Sequence, residues 1–239
     1  MQWNDTGIII STRRHGETSV IVDLLTRDHG RHAGMVRGGR SKRHRPILQM
    51  GNLVGADWKA RLPEHLGMYI LEPEKLRSAL VMDDPAKLLT LQSVCVLAGQ
   101  VAEREPHPGL FDATEVLIAA LAGEEPWEPM LVMWELGLLG ELGFGLDLTV
   151  CAATGSTDEL IYVSPRSLRA VSRQAGEPYH DRLLPLPPFL INSNLSEISH
   201  TDIKTGLKLT GFFLQKYFSE MKQQDLPEIR QRLYSHIRI

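Results

Sequence analysis

Ser19-Val20-Ile21-Val22-Asp23-Leu24-Leu25-Thr26, closed by Arg27-Asp28-His29-Gly30, is the stretch on which the fold turns. Its β-branched and apolar residues, ended by turn formers, read as a strand. Upstream, Gly7-Ile8-Ile9-Ile10-Ser11 opens the pattern and His15-Gly16-Glu17-Thr18 reads as a turn. Downstream, a third strand covers about Arg31 to Arg37 until Gly38-Gly39 breaks it. Leu53 to Ala60 and Met68 to Glu72 supply two more, around the Pro63-Glu64-His65 loop. Five short strands between Thr6 and about Leu76 suit a small closed barrel such as the OB-fold. An open sheet or an SH3-like barrel fits the same spacing.

Charge is concentrated beside the third strand. Residues 31 to 45 carry Arg31, Arg37, Arg40, Lys42, Arg43 and Arg45, with His32 and His44 among them, and the next carboxylate is Asp57. Arg13 and Arg14 end the first strand, and Lys59 and Arg61 end the fourth. Gathered on one side of a barrel, these ten cations would form a groove for a polyanion. A solvated loop and charged rim is the competing reading. The first 78 residues hold only Trp3, Trp58 and Tyr69 as aromatics, and Trp58 alternates with apolar neighbours as a core residue would. With few stacking platforms, binding would rest on phosphates, ignore sequence and weaken with salt.

The net charge of −3 conceals this segregation. Residues 1 to 45 hold nine Lys/Arg against Asp5, Glu17, Asp23 and Asp28, whereas residues 83 to 150 hold Lys87 and Arg104 against twelve Asp/Glu. Hydrophobic residues make up 43% of the 239 and charged residues 23%, the balance of an ordinary globular protein. The start lacks the basic-then-apolar order of a secretory signal and no apolar run is long enough to span a membrane, so a cytoplasmic location is expected.

At Asp83-Asp84-Pro85 the period becomes helical. Leu88, Leu91, Val94, Cys95, Ala98 and Ala102 share a face, with Asp84 as N-cap and Pro85 in the first turn. Pro106-His107-Pro108 separates a second helix, and Glu128 to Leu142, apolar on more than one face, reads as a buried third. Residues 143 to 200 read as irregular, with a short strand at Leu160 to Val163 and a helical turn or two from Pro165 to Arg173. Helical spacing returns from Thr201, and Leu226 to Arg238 reads as a last helix. The expectation is an α+β chain, with a barrel over 1–80 and a helical domain over 81–239 that contains the 143–200 insertion.

No motif of catalysis appears. Residues 34 to 42 lack the Gly-Lys-Ser/Thr ending of a P-loop, the nine histidines form no metal-binding helix face, and no serine sits in a Gly-x-Ser-x-Gly elbow. A binding protein without cofactor or metal is expected, not an enzyme. Cys95 and Cys151 cannot make a four-thiolate zinc site.

The order of motifs resembles the RecO family of bacterial DNA repair and recombination mediators over essentially the whole chain. The resemblance lies in Gly16 to Val22 with Thr26, His29 and Gly30, in Val36-Arg37-Gly38-Gly39-Arg40-Ser41-Lys42, in Pro106 to Phe111 and in Trp134 to Leu139. It is most specific in Leu142-Gly143-Phe144-Gly145-Leu146-Asp147-Leu148 and then Cys151 to Gly155, with Tyr162 to Ser167 and Arg169-Ala170-Val171 following. It implies an N-terminal OB-fold, a helical domain and a finger-like insertion that in some members holds zinc through two Cys-x-x-Cys pairs. Here Cys151 alone remains of those ligands, Thr154 replacing its partner, so the finger is expected to be degenerate and zinc-free. The resemblance further implies binding of single- and double-stranded DNA, strand annealing, and loading of RecA with RecR onto strands coated by single-strand-binding protein (SSB). Family members dock the acidic SSB C-terminal tail on the helical domain, and Lys204, Lys208, Lys216 and Lys222 are the candidates for its basic rim. The physics alone leaves open an OB-fold RNA binder or a protein-interaction scaffold.

Overall fold

The computed structural model describes residues 1–192 and 198–237. β1 (Gln2–His15), β2 (Ser19–Thr26), β3 (Gly30–Val36), β4 (Leu53–Lys59) and β5 (Met68–Lys75) close into a barrel in the order β1-β2-β3-β5-β4. This is an OB-fold arrangement, and it sets aside the open sheet and the SH3-like barrel. Neighbours are antiparallel except β3 and β5, which run parallel through Met35 and Met68.

β1 serves both halves of the barrel. Gln2 to Ile8 pair with β4 and Gly7 to His15 with β2, and the register shifts between Ile9 and Ser11. The extra residue, Ile10, bends the strand, so three consecutive isoleucines are buried where a flat strand would alternate. Inside the barrel lie Val22, Leu24, Val36, Val54, Trp58, Tyr69 and Leu71. Burying each aliphatic side chain of this set contributes about 1.5–3 kcal/mol.

The remaining elements are α1 (Pro85–Ala98), α2 (Pro108–Ala122), α3 (Trp127–Glu141), β6 (Leu160–Val163), β7 (Ala170–Ser172), α4 (Arg173–Gly176), β8 (Leu184–Pro185), α5 (His200–Tyr217) and α6 (Glu228–His236). The Asp84 carboxylate caps α1 by accepting from the backbone N–H of Ala86 at 2.9 Å and of Lys87 at 3.1 Å. α1 stops at Ala98 with Gly99 after it, one turn short of Ala102 at the end of its apolar face. Ser199 and Asp202 form a capping box at the start of α5.

Two compact units result, one of Met1–Glu125 with Pro227–His236 and one chiefly of Pro126–Leu226. In the first, α1 and α2 lie against β1 and β2, and α6 packs on α1. The switch from strand to helix near residue 80 and the border between units after Glu125 are therefore different points of the chain. In the second unit, α3 packs on α5, and an added Cβ at Gly206 would stand 2.8 Å from a Val132 methyl carbon, so glycine permits this close approach.

The composition of 143–200 predicts irregular structure, but the chain forms a three-stranded sheet there, β7-β6-β8. The stretch from Pro165 to Arg173 is a turn followed by β7, not a helix, because Ala170 and Val171 pair with β6 and are buried. Residues 193–197 of that stretch, and Arg238 of the expected last helix, lie outside the described residues. Among the described residues no helix is long and apolar enough to cross a membrane.

Candidate nucleic-acid interface

The basic loop leaves β3 at Val36 and is held at both ends. At its base Ile47 and Leu48 are part of the barrel core. The buried Asn52 amide donates to the carbonyls of Pro46 at 2.9 Å and Ile47 at 3.0 Å and accepts from the Ser78 N–H. At its top the Arg40 N–H donates to the Thr18 carbonyl at 3.1 Å, and the Arg40 guanidinium donates to the Glu17 carbonyl. Between them the Ser41 N–H bonds to Gly38 and those of His44 and Arg45 bond to Ser41. A cationic loop anchored this way presents its charges in fixed places and loses little entropy on binding.

Strand register brings the other cations to the same rim. Arg13 is paired with Ile21, Ile21 with Met35, Met35 with Met68 and Met68 with Lys59. One row across the barrel thus joins the end of β1 to the end of β4. Two clefts open beside it. The first, about 280 Å³, is lined by Arg13, Arg14, Arg40 and Arg45, with Thr12 and Gln49, and no carboxylate lines it. The second, about 670 Å³, is lined by Arg37, Arg43, His44 and Lys59 together with apolar residues of β5 and the carboxylates Asp57 and Glu72. A shallower hollow of about 590 Å³ carries Lys59 on to Arg61, His15 and His65. Lys42 is exposed on the loop and lines neither cleft. Among the described residues, none of these nine cations has a carboxylate within salt-bridge distance.

Arg31 does not join them. It lies at the opposite end of β3 from Arg37, its side chain bonded to Asp23, to Glu103 and to the Val101 carbonyl. Other barrel cations away from the rim are also neutralised by the acidic segment: Arg27 by Asp112, and Lys75 and Arg77 by Glu115. The acidic run of the sequence thus compensates one part of the barrel and leaves the rim positive.

The barrel aromatics are committed to packing. Trp58 is buried, its indole N–H donating to the Leu66 carbonyl at 3.1 Å, and the Tyr69 hydroxyl donates to the His32 carbonyl at 3.2 Å. Trp3 stacks on His29 at 4.2 Å and beside Trp58 at 5.5 Å. Sequence reasoning missed Ile70, which lines the second cleft and is 68% exposed. The run Met68-Tyr69-Ile70-Leu71 is apolar throughout, and its only clue was strand alternation, which turns Tyr69 and Leu71 inward. His44 was already visible in the basic stretch, whereas His15 and His65 of the hollow were not counted with its cations.

On α5, Lys204 and Lys208 are exposed one turn apart, and Phe212, 42% exposed, continues their stripe. Lys216, next along, donates to the Pro165 carbonyl at 3.0 Å and stands 3.9 Å from Glu220. Lys222 lies beyond the helix, 5.8 Å from the Tyr217 ring. Phe212 was the unrecognised member of this stripe.

In the insertion, the Cys151 sulfur accepts from the Ser172 N–H at 3.3 Å. Burial pushes this thiol up, but hydrogen bonds from Ser172, Thr154 and Ala153 outweigh it and hold it at about 6. Among the described residues no three His, Cys, Asp or Glu side chains gather as a metal site.

Comparison with known proteins gives a consistent assignment. The family model described as Recombination protein O N terminal matches residues 1–72, and the one described as Recombination protein O C terminal matches residues 82–225. A protein of Rhodospirillum centenum named DNA repair protein RecO is 50% identical over 241 residues, covering 100% of this chain and 95% of its own. Those of the same name from Methylorubrum extorquens and Methylocella silvestris are 48% and 49% identical, covering 97% and 96% of this chain and 96% and 93% of their own.

Proposed function

Because the chain belongs to the recombination protein O (RecO) family of DNA repair proteins, we propose that it is a cytoplasmic, non-enzymatic recombination mediator. It binds single- and double-stranded DNA through sugar–phosphate contacts, anneals complementary strands, and with RecR loads RecA onto SSB-coated DNA. The observation that carries this reading is the cationic rim: two clefts on an OB-fold, one lined by Arg13, Arg14, Arg40 and Arg45 and the other by Arg37, Arg43 and Lys59, with the buried Trp58 and Tyr69 in the wall of the second. Guanidinium groups on an anchored loop fit phosphates, which position a strand without reading its sequence. The stripe of Lys204, Lys208 and Phe212 supports docking of an acidic tail that ends in an aromatic residue. The assignment of Arg31 changes: we give it a structural role and not a phosphate.

An Arg40, Lys42, Arg43 triple-alanine variant tests the reading. It should bind oligonucleotides more weakly and anneal them more slowly while unfolding at the wild-type midpoint. Annealing at the wild-type rate would refute it. Competition between single-stranded DNA and RNA of equal length separates this reading from an RNA binder.

A further inference from the structure

The two cationic clefts share no lining residue. Both nevertheless take cations from the same loop, Arg40 and Arg45 on one side and Arg37 and Arg43 on the other. A groove following one backbone would not need a wall that is cationic on both sides. Resting on the DNA-binding reading above, we propose that the 37–52 loop is a partition and that each cleft seats its own single strand of DNA, so that one protein molecule holds two strands side by side.

Three observations support the partition. The first is rigidity: Ile47 and Leu48 are sunk in the core, and Arg40 is tied to Glu17 and Thr18 of the β1–β2 turn, so the wall cannot fold into either cleft. The second is charge. Two phosphate backbones repel over roughly 8 Å at physiological salt, and cations between them remove most of that barrier; Lys42, which lines neither cleft, adds to the wall. The third is the contrast between the clefts. The smaller has no carboxylate and suits a backbone alone, while the larger adds Met68, Ile70 and Leu71 as an apolar floor for sugar and base.

The geometry also locates where the strands meet. The larger cleft continues through Lys59 to His15, and His15 adjoins Arg14 of the smaller cleft. The two tracks thus converge at the β1–β2 turn, and pairing of complementary strands starts there.

Titration of the full-length protein with labelled oligo-dT tests this, with oligonucleotides of roughly 8 nucleotides, enough for one OB-fold track. At protein concentrations well above Kd, the wild type should bind two oligonucleotides per monomer. A variant combining R13A with R14A, and another combining R37A with K59A, should each bind one, and each should anneal complementary strands about tenfold more slowly. One oligonucleotide per wild-type monomer, or two in both variants, would overturn the partition while leaving DNA binding intact. No binding by the wild type would instead remove the DNA-binding reading on which the partition rests.

Discussion

Arg31 Nη1 lies 3.2 Å from Asp23 Oδ2 across neighbouring strands, while Arg31 Nη2 reaches Glu103 at 3.1 Å. Burial pushes the Asp23 carboxyl up and Arg31 pulls it down, and its other oxygen, Oδ1, has no hydrogen-bond partner among the described residues. Removing the arginine would leave a carboxylate in the barrel wall without its main counter-charge. Arg31→Ala should therefore cost about 2 kcal/mol in urea unfolding, between the values for exposed and buried pairs. Single-strand affinity should stay within about twofold, since losing one phosphate contact would change it more. Unchanged stability with a large loss of affinity would return Arg31 to the DNA surface.

A second ion pair carries a pH signature. Burial pushes the Glu115 carboxyl up, but hydrogen bonds and charge from Lys75 and Arg77 outweigh it and hold it below the usual carboxylate range. A depressed carboxyl stabilises the fold above its unfolded pKa, and that contribution disappears as pH falls through the folded value. Glu115→Gln should be less stable than wild type at neutral pH and converge with it in acid. Parallel stability curves down to the acid limb would contradict the assignment.

The two thiols should titrate far apart. Cys151 is held at about 6 by its hydrogen bonds, whereas burial pushes Cys95 up to about 12. Thiolate ultraviolet absorbance of the folded protein should show one titration near 6 that Cys151→Ser abolishes. A first titration in the ordinary thiol range would mean that the donors around Cys151 are misassigned.

Gly67 shapes the loop between β4 and β5. Its φ is +68°, and an added Cβ would stand 2.4 Å from the Trp58 indole nitrogen. Gly67→Ala strains the backbone and pushes on a core tryptophan, so it should cost about 2–3 kcal/mol in denaturant unfolding. A loss below about 0.5 kcal/mol would show that the indole can retreat.

How much of this was legible in the sequence follows from what each residue's role depends on. The five strands and the Asp84 cap were readable because β-branched runs and capping residues act locally. The barrel's closure depends on the bulge at Ile10 and the parallel Met35–Met68 pair, which link distant segments, so the pattern could not separate it from an open sheet. The cationic stretch was visible as a run, but Arg31 and Arg37 differ only in which end of β3 they occupy. Glu103, which pairs with Arg31, lies 72 residues away. The small sheet of the insertion was hidden because β7 and β8, three and two residues long, carry too little period to read.

The account turns on fixed cations gripping phosphate, and the salt dependence of single-strand binding tests it most directly. A strand seated on three or four of the cleft arginines and lysines should give a slope of log K against log salt of about −2 to −3. The Arg40, Lys42, Arg43 triple-alanine variant should flatten it. A wild-type slope shallower than about −1, or the same slope in the variant, would contradict the account.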